Sequence, residues 1–103
     1  MESPEGYYAV TETQGRNWDP SCARRQQGSW DEHAAFMDIL VEGGFVVLGG
    51  PVGTGEQVLL IVRAGSKSEI EARLAADPWL TMEILRIAKI EPWEILLGDA
   101  SRT

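Results

Sequence analysis

The chain holds one histidine, His33. It falls in a run whose spacing predicts the first turn of a helix, Ser29-Trp30-Asp31-Glu32-His33-Ala34-Ala35-Phe36-Met37. Imidazole is suited to moving protons, and works best when a carboxylate holds one ring nitrogen and leaves the other free as a base. Asp77, in the helix-ending pair Asp77-Pro78, is placed to supply that carboxylate. The chemistry of such a pair would be removal or shuttling of a proton by His33, oriented by Asp77. The same two residues also describe a buried histidine hydrogen-bonded for structure alone. Tryptophan is the second signal: Trp30 adjoins the helix start, Trp79 stands just past Asp77, and Trp18 sits on a long loop. Flat aromatic walls beside a proton-transfer pair suit a planar or ring-shaped small molecule, whereas Trp93 reads as a core or subunit-seam residue. With Arg25 from the loop and Gly50 and Pro51 from a glycine-rich turn, Trp18, Trp30 and Trp79 form the expected pocket lining. One histidine without a second ligand cluster gives no metal site, and no cofactor is expected. Cys22 has no histidine near it in sequence and reads as incidental.

The elements that must position these residues follow from periodicity and punctuation. Residues 7–11 are aromatic and β-branched and predict a first strand. Residues 14–28 lack periodicity; a loop of that length is either a lid over a site or a surface excursion anchored by Trp18. Ser29 and Glu32 have the spacing of a capping box. His33, Phe36, Met37 and Leu40 then recur at helical intervals as an inward stripe, and Gly43-Gly44 supplies the stop. Residues 45–48 and 57–63 are continuous apolar strands. The glycine-rich turn between them lacks both the phosphate-loop lysine and a following helix, so it reads as a hairpin connection. Ser66 and Glu69 open a second helix carrying Ile70 and Leu74, which Asp77-Pro78 ends. Residues 82–90 alternate as a fourth strand, with a helix as the competing reading, and Pro92 breaks the run.

The resulting order, β-α-β-β-α-β, implies an α+β, ferredoxin-like unit: a four-stranded antiparallel sheet with both helices on one face. Strands that are apolar on both sides imply that the second face is covered too, and with no helix left, a second copy of the same sheet is the economical cover. A homodimer is therefore expected.

The 103 residues predict a single domain, with residues 1–6 and 98–103 as tails. A net charge of −7 argues against a nucleic-acid partner, which needs clustered Lys and Arg. No apolar run reaches the ~18 residues of a membrane span, and the acidic first residues carry no secretory signal. A lone cysteine rules out an intrachain disulfide, so a cytoplasmic setting is expected.

Five segments taken together resemble the YciI-like (YCII-related) domain family: W-D-P at 18–20, R-R-Q at 24–26, W-D-E-H-A-A-F-M-D at 30–38, G-F-V-V-L-G-G-P at 44–51 and D-P-W at 77–79. The resemblance implies a dimeric α/β barrel, ferredoxin-like in each subunit. It also implies an active site in which the family's helical histidine and its aspartate before proline match His33 and Asp77. One branch of that family is associated with dehydrochlorination of a chlorinated hydroxyquinol. The expected function is thus a small-molecule lyase or isomerase, with a non-catalytic dimeric module for a small ligand or protein as the alternative.

Overall fold

The computed structural model describes residues 5–98. The tails expected at 1–6 and 98–103 lie largely outside these residues, and Gly6 already belongs to the first strand. Four strands, β1 (Gly6–Gln14), β2 (Val46–Val52), β3 (Gln57–Ala64) and β4 (Leu85–Trp93), form one antiparallel sheet in the order β2-β3-β1-β4. Helix α1 (Trp30–Glu42) crosses from β1 to β2, while α2 (Lys67–Leu74) and the single turn α3 (Pro78–Thr81) cross from β3 to β4. This is the expected α+β, ferredoxin-like βαββαβ unit.

Strand alternation sets the two faces. Val10 on β1 and Val58, Leu60, Val62 and Ala64 on β3 point inward, where they meet Leu40 of α1 and Ile70 and Leu74 of α2 in one core. The intervening residues, among them Ala9, Leu59 and Ile61, lie on the opposite face, half-buried, with Leu48 and Val52 of β2 exposed beside them. The described helices thus cover one face of the sheet and leave the other open, apolar at Leu48, Val52, Leu59 and Ile61 and polar along β4, where Lys89 and Glu91 lie on it. Among the described residues no helix is long and apolar enough to cross a membrane.

Several expected boundaries need correction. Ser29 does not cap α1: its backbone is left-handed (φ 55°), and its side chain makes no cap bond. A serine needs the extended conformation for its hydroxyl to reach back to the first-turn N–H groups. The helix end does follow the glycine signal. The Gly44 N–H donates to Val41 O and the Phe45 N–H to Leu40 O, both at 3.0 Å, with Gly44 at φ 82°. This is the double-bonded glycine stop, and Leu40 and Phe45 on either side of it belong to one buried cluster. Asp77 comes just after α2, as expected, its N–H donating to Leu74 O at 2.9 Å, but it has a second role. It is the N-cap of α3, its carboxylate accepting from the Trp79 N–H at 2.9 Å, with Pro78 at the first helical position. Strand β4 begins at Leu85, because Met82 and Glu83 close the end of α3 by bonding to Pro78 O and Leu80 O, and Glu83 has φ 57°. Pro92 does not break β4 but sits within it opposite Tyr8. The strand lies at the sheet edge, where a missing N–H is tolerated.

Candidate active site

His33 occupies the first turn of α1 and faces inward with 9% exposure. Its Nδ1 lies 2.8 Å from Oδ1 and 3.0 Å from Oδ2 of Asp77, whose side chain is fully buried. An ionised carboxylate only accepts, so with Asp77 in that form Nδ1 is the donor of the pair. Asp77 is itself held in place: Oδ1 also accepts from the Trp79 N–H. Nε2 then carries the lone pair of the neutral ring and makes no hydrogen bond to any described residue.

Trp79 fixes the plane of the imidazole. The two rings are stacked with centroids 4.0 Å apart and an interplanar angle of 4°. The indole is fully buried, and its Nε1–H donates to Gly28 O at 2.7 Å. Asp77 therefore sets the in-plane rotation of His33 while Trp79, two residues on, sets its tilt. Trp30 leans on both rings, at 5.8 Å from His33 and 5.5 Å from Trp79, and Trp18 meets Trp79 edge-on at 6.0 Å.

Beside His33 is a cavity of about 260 Å³ between α1, β1 and the β2–β3 hairpin, lined among others by Glu12, Arg24, Trp30, His33, Gly50 and Pro51. Of the expected lining residues, the structure places Trp30, Gly50 and Pro51 on this cavity with His33. It does not place Trp18, Arg25 or Trp79 there. Trp79 lies behind the histidine and Trp18 behind Trp79, so these two rings brace the imidazole and do not line the cavity. The exposed Arg25 holds its guanidinium over Trp30 at 5.6 Å. Its neighbour Arg24 reaches the cavity instead, stacked over Trp18 at 5.1 Å and donating through Nη2 to Gly55 O at 2.7 Å.

The loop before α1 is pinned by Gln27, which is buried. Its amide donates to the carbonyls of Asp19 (2.8 Å) and Cys22 (3.0 Å) and accepts from the Asp19 N–H (2.9 Å). With Trp18 docked on Trp79, the loop has the form of an anchored excursion. Gly49 lets the hairpin approach, since a Cβ there would stand 2.5 Å from Leu60 Cδ2.

Sequence reasoning did not single out Glu12 or Arg24. Glu12 is buried at 1% exposure on the inner face of β1, beside the cavity. Burial and the nearby Asp77 charge push its carboxyl up from 4.5 to about 7, against the opposing pull of Arg24. A strand reading carried past Thr11 would have found it, because Glu12 shares the face of Val10. Arg24 had no such signal, since its loop has no period to separate it from Arg25. Burial pulls the Arg24 guanidinium below its ordinary value and the Glu12 charge works against that, yet arginine stays a cation.

A wider groove of about 890 Å³ runs between α2, α3 and β4, but its lining does not include His33 or Glu12. Among the described residues no group of three His, Cys, Asp or Glu side chains is placed to hold a metal ion.

No family model and no curated protein matches the chain. Its fold is similar to that of a solved structure, 5-chloro-2-hydroxyhydroquinone dehydrochlorinase from Burkholderia phenoliruptrix AC1100 in complex with 2,5-dihydroxybenzoquinone. The TM-score is 0.53 and the identity 22%, covering 84% of this chain and 93% of that one. At that identity the likeness speaks for the shared fold.

Proposed function

We propose that this chain is a small-molecule lyase or isomerase in which His33 is the base and Asp77 orients it. The observation that carries the reading is the His33–Asp77 pair. One nitrogen is bound to a buried carboxylate at 2.8 Å, the other is unpartnered, and the ring borders a cavity sized for a small ring compound. Carboxylate, imidazole and lone pair stand in the order that general-base chemistry uses. The stacked Trp79 adds a rigidity that a merely accommodated histidine would not need. The fold shared with a dehydrochlorinase supports a substrate of hydroxylated, ring-shaped type and an elimination as the reaction. The order of the five sequence segments supports membership of the YciI-like family.

We further assign the open sheet face, through its apolar β2–β3 patch, to a second copy of the chain, completing a dimeric α/β barrel. Leu48 (64% exposed) and Val52 (42%) flank Leu59 and Ile61 on that face, a patch a monomer would leave in water. Sedimentation at micromolar concentration should give a dimer, and a stable monomer removes the barrel from this reading.

Chloride release from 5-chloro-2-hydroxyhydroquinone tests the activity. The wild type should release chloride above the buffer rate, and His33→Gln should lose ~10²–10⁴ of that rate while remaining folded. Asp77→Asn should also lower the rate, by weakening orientation and charge support. Binding of the ring without turnover, unaffected by either change, would make the protein a ligand-binding module.

A further inference from the structure

The inner face of β1 carries a group that the His33–Asp77 pair does not use. Glu12 stands where its strand neighbour Val10 and the facing Val58 and Leu60 are apolar, and it is as buried as they are. Its Oε2 has no hydrogen-bond partner, and the side chain borders the same cavity as His33. A buried carboxyl with an oxygen left unpaired is costly to keep, and an aliphatic side chain would serve the core better. The charges that act on it are Arg24 from the 3-10 turn (Arg24–Gln26) and Asp77 at the N-cap of α3, and His33 and Asp38 from α1 line the same cavity. In that setting the carboxyl holds its proton up to about 7 and has one to give. His33 has its Nδ1–H committed to Asp77 and offers only a lone pair. One cavity thus presents an acid and a base.

We propose that Glu12 is a second proton-transfer group of this pocket, delivering a proton to a ring carbon of an enolic or polyhydric phenolic substrate while His33 takes one from its hydroxyl oxygen. In this step Nε2 accepts the hydroxyl proton and the oxygen's electron pair becomes the carbonyl π bond. The ring C=C pair forms a C–H bond with the proton of Glu12. The products are the ketone tautomer, an imidazolium and the Glu12 carboxylate. Return of one proton from His33 to Glu12 restores both groups, so no oxidant or reductant is needed. On a ring carbon bearing chlorine, the same step yields a saturated C–Cl centre. Chloride then leaves with its bonding pair as a second hydroxyl proton departs, and a quinone remains. This inference rests on His33 being the base of the pocket, and it makes ring ketonisation the reaction class.

Hydroxyhydroquinone, which lacks chlorine, isolates the step. Incubated with the protein in D₂O under argon, it should exchange its ring hydrogens for deuterium faster than in buffer, read by proton NMR. Glu12→Gln keeps size and neutrality and should not lower the melting temperature, yet it should slow the exchange by ~10²-fold. Glu12→Asp, which restores a titratable carboxyl, should recover part of it, and His33→Gln should slow it as well. Infrared spectra give a readout independent of turnover: a protonated-carboxyl C=O band below about 7, lost above it and missing from Glu12→Gln. Exchange as fast in Glu12→Gln as in the wild type overturns the proposal and leaves His33 standing if His33→Gln is slow. No acceleration by the wild type, or no infrared band that depends on Glu12, also overturns it. The chloride-release assay judges the His33 reading separately.

Discussion

Two helices of this chain begin on the same plan. Ser29-Trp30-Asp31-Glu32 leads into α1 and Ser66-Lys67-Ser68-Glu69 into α2. The residue that follows each box is buried, His33 in one and Ile70 in the other. At α2 the local signal is obeyed: Ser66 is extended, its hydroxyl accepts from the Glu69 N–H at 3.1 Å, and the Glu69 carboxylate accepts from the Gly65 N–H at 2.8 Å. At α1 Ser29 is left-handed and its hydroxyl caps nothing. What holds that helix start lies far off in sequence: Trp30 against Trp79, the Trp79 Nε1–H on Gly28 O, and His33 on Asp77. One helix start is built by its own sequence for stability. The other gives up its local cap to a tertiary arrangement that aims an imidazole, as functional sites commonly do.

The sharpest contrast comes from changing the two residues that follow the boxes. Ile70→Ala should cost ~2–5 kcal/mol of stability, the usual range for emptying a buried aliphatic site, while the rate per folded molecule stays the same. His33→Gln should do the reverse, losing rate with little change in denaturation midpoint. Equal stability losses from both would remove the distinction between the two starts.

Glu12 adds a pH dependence centred beside α1. Its carboxyl sits at about 7 in the folded protein against 4.5 as the ordinary value, so between these values the folded state holds a proton that the unfolded chain has released. Stability should therefore fall as pH rises through that window and level off above about 7, by about 3 kcal/mol in all. Denaturant titrations across the window should show this slope in the wild type and its loss in Glu12→Gln. A slope that survives in Glu12→Gln belongs to another group.

The smallest effects test the caps themselves. Ser66→Ala should cost ~1 kcal/mol, the typical worth of an N-cap serine. Ser29→Gly should be neutral or stabilising by a few tenths of a kcal/mol, because a left-handed residue without a cap bond loses nothing when its side chain goes. A loss at Ser29 as large as that at Ser66 would mean the two starts are alike after all.

The order of elements was legible because period-two and helical patterns are local properties. The inward stripe of His33, Phe36, Met37 and Leu40 was legible for the same reason, and His33 and Leu40 are buried as it requires. The region between Asp77 and Leu85 was not. Met82 to Ile84 alternate like a strand, yet the Ile84 N–H bonds to Trp79 O and folds the segment back under α3. The meeting of His33 with Asp77 followed from topology, the aspartate lying just past α2 as expected, whereas its second role as the cap of α3 was not foreseen. Which aromatic rings face a ligand and which brace the histidine could not be read from spacing. Trp30 and Trp79 are both near His33 in space, and only three-dimensional packing puts one on the cavity and the other behind the ring.

His33 is the only histidine, so the imidazole ¹⁵N spectrum of the protein contains one ring. Titration with 2,5-dihydroxybenzoquinone, followed through that ring, tests the central claim that Nε2 addresses a ligand while Nδ1 is committed to Asp77. The neutral ring should be the Nδ1–H tautomer in the free protein, and the quinone should shift Nε2 strongly and Nδ1 weakly. An Nε2–H tautomer, or saturating quinone that leaves Nε2 unmoved, would contradict the account and return His33 to the core as a structural residue.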